Sequence, residues 1–243
     1  IKEALSINCQ YEQVKVEHIA SENIWLLSCL NQPRSGKVPI VNVNNLCFGT
    51  DNPTIINSSS CDSEIILDFG KIVVGFIGFT IDAPEGVLLD FNLFEAYEDG
   101  KPIYKEGLRN ALRYKTKKGL QKFLSPKRQE FRYLKLTVRN LEKPLTIYEL
   151  YCNLSTYPVS LQGEFATSDY NLNVIYEMSR YTTRLCMEDT YIDCPTYEQT
   201  YWVGDARNEA LIARTAFGDT RLTERCLRLV GPSLNGQYVP CFY

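Results

Sequence analysis

The period of the apolar residues changes once along this chain, and that change limits the folds open to it. Between about Cys61 and Val159 the period is two. Val87, Leu89, Phe91 and Leu93 fall on one side of an extended segment, with Asp90 and Asn92 facing away. Ile77, Phe79 and Ile81 repeat the pattern, as do Leu134, Leu136 and Val138. Such alternation marks strands with one buried side. Turn signals punctuate them at Pro84-Glu-Gly86, Glu98-Asp-Gly100, Lys118-Gly119, Ser125-Pro126 and Lys143-Pro144. Strands at this spacing, with no helix between them, predict an antiparallel sandwich. Its core is expected to include Leu67, Ile77, Phe79, Leu89, Phe91, Leu136 and Ile147.

Near residue 165 the apolar residues begin to recur every three or four positions. Ser168 can cap a helix carrying Leu172, Ile175, Met178 and Leu185 on one face. A second helix is expected over 205–217, closed by Gly218. A third begins near Thr220, with Leu222, Cys226, Leu227 and Val230 apolar, and stops at Gly231-Pro232. The chain therefore reads as a multidomain α and β protein. Residues 1–60 form an extended approach or the tail of a preceding domain, with strand-like pieces at Val14–Val16, Ile24–Leu27 and Val38–Val43. Residues 61–160 form the sandwich, and 161–243 a helical module.

Several function classes have no support. A net charge of −3 offers no basic footprint for nucleic acid. No apolar run approaches the roughly 18–20 residues of a membrane span. His18 is the only histidine and no Cys-x-x-Cys pair occurs among the nine cysteines. No metal site and no cofactor are therefore expected, and a cysteine nucleophile at Cys194 would lack a nearby imidazole base. Neither end has the character of a natural terminus. The chain reads as a piece of a longer protein, whose compartment would be set by a segment upstream.

The densest chemistry lies between the first two helices, in Asp193-Cys-Pro-Thr-Tyr-Glu198-Gln-Thr-Tyr-Trp202-Val-Gly-Asp205. Such a stretch could simply be a solvated loop ending in a helix cap. Carboxylates set among bulky aromatics on a connector can also hold a sugar. The acids grip hydroxyls or carry protons, and the rings cover the apolar side of the pyranose.

That run resembles the loop of the bacterial inverting α-L-rhamnosidases, which reads Asp-Cys-Pro-x-Arg-(Asp)-Glu-Arg-x-Gly-Trp-x-x-Asp. Here Asp193-Cys194-Pro195, Glu198, Trp202 and Gly204-Asp205 fit its shorter form. Upstream, Leu67-Asp-Phe-Gly70, Pro84-Glu-Gly86, Phe131-Arg-Tyr133 and Gly163-Glu-Phe165 are similar to the β-sandwich that precedes the barrel in those enzymes. The resemblance implies a sandwich followed by an incomplete (α/α)6 six-hairpin barrel, and a substrate that is a terminal α-L-rhamnoside. It places Glu198 as general acid and Asp193, Asp205 and Trp202 around the rhamnose. Tyr197 stands beside the sugar where the family usually has Arg, so the grip on the sugar should differ.

An inverting mechanism also needs a base carboxylate roughly 6.5–9.5 Å from the acid. In the family that base comes from later in the barrel. Glu209, Asp219 and Glu224 are expected only to form solvated helix faces or helix starts. Alone, the chain should be inactive and should self-associate through helix faces that a whole barrel covers. The alternative is a non-catalytic carbohydrate-binding or scaffold module derived from such an enzyme.

Overall fold

A computed structural model describes residues 3–7, 38–48, 52–103, 110–233 and 241–242. The strand-like pieces expected at 14–16 and 24–27 lie outside the described residues. The chain divides into two compact units, Ile1–Leu154 and Ser155–Tyr243.

The first unit is almost wholly antiparallel β. Its strands are β1 (Glu3–Ile7), β2 (Ile40–Val41), β3 (Thr54–Ile56), β4 (Ser63–Ala83) and β5 (Leu88–Phe94). They continue with β6 (Ala96–Glu98), β7 (Lys101–Ile103), β8 (Ala111–Lys115), β9 (Gly119–Leu124), β10 (Gln129–Arg139) and β11 (Leu145–Leu154). One helical turn, α1 (Asn45–Phe48), lies between β2 and β3, and β6 pairs with β7 as a separate ribbon.

The 21-residue β4 organises this unit. Its first part, 63–68, is paired between β1 and β10, and its last part, 75–83, between β11 and β9. A single strand thus belongs to both layers of the sandwich. The transition falls at Gly70, whose φ of 80° is open to glycine at little cost, and the Asp68 carboxylate accepts the Gly70 amide at 2.7 Å. The layers meet through the inward side chains. The Phe79 ring of β4 stacks on Phe91 of β5 at 5.5 Å, although these two strands are not hydrogen-bonded. All seven residues expected in the core are buried there.

One expectation needs correction. Asp90 and Asn92 do project from the opposite face of β5, but both are fully buried. Asp90 accepts Arg113 Nε and Nη2 at 2.6 and 2.8 Å and Arg139 Nε at 2.8 Å. Beside it, Lys135 pairs with Glu64. The outer face of this sheet tolerates burial because its charges are matched across neighbouring strands, which period-two patterning cannot reveal.

The second unit contains α2 (Tyr170–Leu185), α3 (Val203–Phe217) and α4 (Arg221–Val230), followed by a 3-10 turn at Gly231–Ser233. Asp169, one residue beyond the expected Ser168, caps α2 by accepting the Asn171 amide. Gly218 closes α3 with φ 64°. The buried centre is formed by Met187, Tyr191, Ala213, Ala216, Leu222 and Cys226. Leu172, Ile175 and Met178 of α2 share a face, as expected, but they are 47%, 57% and 64% exposed.

Candidate active site

The connector between α2 and α3 is held in shape by its own first carboxylate. The backbone amide of Asp193 donates to the Thr200 carbonyl at 3.0 Å, and the Thr200 amide donates back to Asp193 Oδ1 at 2.9 Å. The Cys194 thiol donates to Asp193 Oδ2 at 3.1 Å. These contacts tie residue 193 to residue 200 and make residues 194–199 a closed loop. Inside it Gln199 takes a left-handed φ of 53°, and its amide nitrogen donates to the Pro195 carbonyl at 2.7 Å. Pro195 and Thr196 are buried, whereas Tyr197 and Glu198 project outward. The closed loop therefore presents its aromatic ring and its carboxyl at the surface.

Trp202 is the cap residue of α3, and its side chain turns back over the loop. Indole Nε1 donates to Glu198 Oε2 at 2.7 Å. The same ring meets Phe242 edge-on at 5.2 Å, where Trp202 and Phe242 also form an isolated backbone bridge. An indole N–H can only donate, so it engages a bare oxygen of Glu198 and leaves Oε1 as the oxygen able to carry a proton. Asp205 follows in the first turn of α3 and is exposed, where the helix N-terminus favours a negative charge.

A further carboxyl lies one helical turn past Asp205. Glu209 was expected on a solvated helix face, but it is half-buried, in line at helical spacing with the buried Ala206 and Ala213 of α3. Its Oε2 is buried without a hydrogen-bond partner. Burial raises its pKa to about 8, and the negative charges of Asp205 and Asp193 add to the effect. A sequence signal was available, because positions 206, 209, 213 and 216 follow helical spacing and the other three are alanines. Behind Glu209 the side chains are neutral. Burial holds the Tyr191 and Tyr201 hydroxyls up to about 12 and raises the Cys226 thiol as well.

The structure thus brings Glu198 and Trp202 into direct contact. It couples Asp193 and Asp205 electrostatically through Glu209 and places Tyr197 on the outer rim, 47% exposed. No cluster of metal-ligating side chains occurs among the described residues. No helix among them is long and apolar enough to cross a membrane.

A β-sandwich feeding helices whose connector carries carboxyls and a tryptophan is an arrangement found in glycoside hydrolases. Comparison with known proteins makes the assignment specific. Residues 58–151 match the family model of the bacterial α-L-rhamnosidase concanavalin-like domain. Residues 160–240 match the bacterial α-L-rhamnosidase six-hairpin glycosidase domain. The chain belongs to the bacterial α-L-rhamnosidase family.

Among solved structures it is similar to the GH78 family rhamnosidase of Bacillus sp. GL1, with 43% identity and a TM-score of 0.75 over 82% of this chain and 21% of that one. A rhamnosidase from Klebsiella oxytoca, solved with rhamnose bound, shares the fold at 24% identity and a TM-score of 0.64. That match covers 81% of this chain and 39% of that one. An α-L-rhamnosidase of Formosa agariphila is 26% identical over 155 residues, which are 60% of this chain and 16% of that protein. The chain spans about a fifth of the Bacillus enzyme's length and less of the Formosa one.

Proposed function

We propose that this chain forms part of an inverting glycoside hydrolase that removes terminal α-L-rhamnosyl groups. In this reading it supplies the acid side of the active site. The observation that carries the proposal is the Trp202–Glu198 hydrogen bond within a loop anchored by Asp193. It fixes one oxygen of Glu198 and presents the other. Glu198 is the general acid: its Oε1 proton passes to the glycosidic oxygen as the C–O bond breaks, so the leaving group departs as a neutral alcohol. Asp193 and Asp205 accept hydrogen bonds from sugar hydroxyls. Trp202 and Tyr197 lie against the apolar side of the ring, with Tyr197 at the rim in place of a cation. The base that activates water on the opposite face belongs to another part of the enzyme.

The test is the stereochemistry of hydrolysis by the full-length enzyme. Proton NMR of the first product formed from an α-L-rhamnoside should show β-L-rhamnose before mutarotation. First release of the α-anomer would replace inversion by retention, and no release of rhamnose would remove the substrate assignment.

A further inference from the structure

We infer that Glu209 is a positioning residue for the candidate sugar-binding aspartates: its buried, donorless oxygen, on α3 one turn past Asp205, leaves Asp193 and Asp205 in their present places only while Glu209 is neutral. The geometry supports this independently of any reaction. Glu209 stands four residues after Asp205 on one helix, in the stripe that faces the centre of the unit, and Asp193 approaches from the connector. Its buried Oε2 meets no donor, which an ionised carboxylate would require, and among the described residues no basic side chain pairs with it. The groups facing it are Asp205 on its own helix, Asp193 on the connector, Tyr191, and Cys226 on α4, with Tyr201 behind Cys226. The tyrosines and the thiol stay neutral beyond the pH at which Glu209 titrates. Glu209 is therefore the member of this cluster that changes charge just above neutrality, being raised to about 8.

A proton held at neutral pH has two consequences. Below the ordinary carboxyl range Glu209 is protonated in both folded and unfolded chains, and its contribution to stability is fully present. Between that range and about 8 the unfolded chain releases the proton and the folded one keeps it. Stability from this group therefore falls as pH rises and levels off above about 8. Above that point the third charge repels the other two. The Thr200 amide, which donates to Asp193 Oδ1, reports any displacement of Asp193 by that repulsion.

The experiment is a pH titration of the 243-residue chain by NMR, following the Glu209 carboxyl carbon and the Thr200 amide proton in wild type, Asp193→Asn, Asp205→Asn and Glu209→Gln. Both signals should move with a midpoint near 8 in wild type and with lower midpoints in the two aspartate variants. The Thr200 titration should vanish in Glu209→Gln, whose neutral amide keeps the shape. A residue that only filled space would leave Thr200 unaffected by pH in every variant, and that result overturns the inference. So does a Glu209 midpoint in the ordinary carboxyl range, or one that neither aspartate variant shifts.

The identity of the sugar rests on the rhamnoside reading. With L-rhamnose as the probe and the full-length enzyme, wild-type affinity should drop about tenfold between roughly pH 7 and pH 9, and that of Glu209→Gln should not. A drop that persists in Glu209→Gln overturns the positioning role. Failure of both proteins to bind L-rhamnose removes the rhamnoside reading, while the Thr200 titration still decides the role of Glu209.

Discussion

Glu198 and Glu209 are eleven positions apart and have opposite surroundings. The first is exposed and receives an indole proton, and the second sits in an alanine-lined stripe without a partner. A general acid needs access to the leaving oxygen, which Glu198 has and the buried Glu209 oxygen does not. In the full-length enzyme Glu198→Gln should lower kcat on an unactivated α-L-rhamnoside by about 100-fold or more. An aryl rhamnoside with a good leaving group, which needs less protonation, should lose much less. Equal losses on the two substrates in steady-state assays would show that Glu198 does not supply the proton. Asp90 gives a stability test at the same scale. Asp90→Asn leaves Arg113 and Arg139 facing a neutral amide in a buried setting, and about 3 kcal/mol of unfolding free energy should be lost. Arg113 is 21% exposed at its side chain, which places the expectation at the low end for a broken buried pair. Urea unfolding of wild type and variant measures it.

At the level of elements, the strands and helices were legible because each carries its own period, and the buried residues Leu67, Phe79, Phe91 and Leu136 lie where alternation puts them. Two features were not legible. The sharing of β4 between layers depends on which strands pair with which half of it, and that is decided by partners up to 79 residues away, as Leu154 is from Gly75. Burial of Glu209 was hidden because a single acid among alanines looks like helix-surface composition until the stripe is followed through 206, 213 and 216. The loop drew attention by its carboxylates and aromatics alone, but the roles proposed for Asp193, Glu198, Trp202 and Asp205 came from the family resemblance, since its hydrogen bonds run between side chains and backbone that spacing does not align. One close approach allows a test of packing. A Cβ on Gly163 would lie 2.1 Å from the Thr215 carbonyl oxygen of α3, while the Gly163 amide donates to the Ala216 carbonyl at 3.0 Å. Gly163→Ala must push that segment off the end of α3, and a loss of about 1–3 kcal/mol is expected. Chemical unfolding followed by the circular dichroism of the helical unit reads it directly.

For the whole molecule, the exposed Leu172, Ile175 and Met178 of α2, with Leu211 and Leu227 on the other two helices, leave large apolar side chains open to water on all three helices, and exposed apolar side chains favour association. The 243-residue chain should therefore self-associate in a concentration-dependent way, measurable by sedimentation. It should also release no rhamnose by itself, because proton donation without a positioned water forfeits the orientation contribution. A monomer at high concentration with clear rhamnosidase activity would refute both expectations. The sandwich should behave differently, because of β4. A strand hydrogen-bonded into both layers ties their openings together: β10 pairs with residues 63–68 and 73–75 of β4 and β11 with 75–82, adjoining stretches of one continuous backbone that meet at Gly75. Amide exchange in the two layers should then share one slow rate, as though a single latch held two doors.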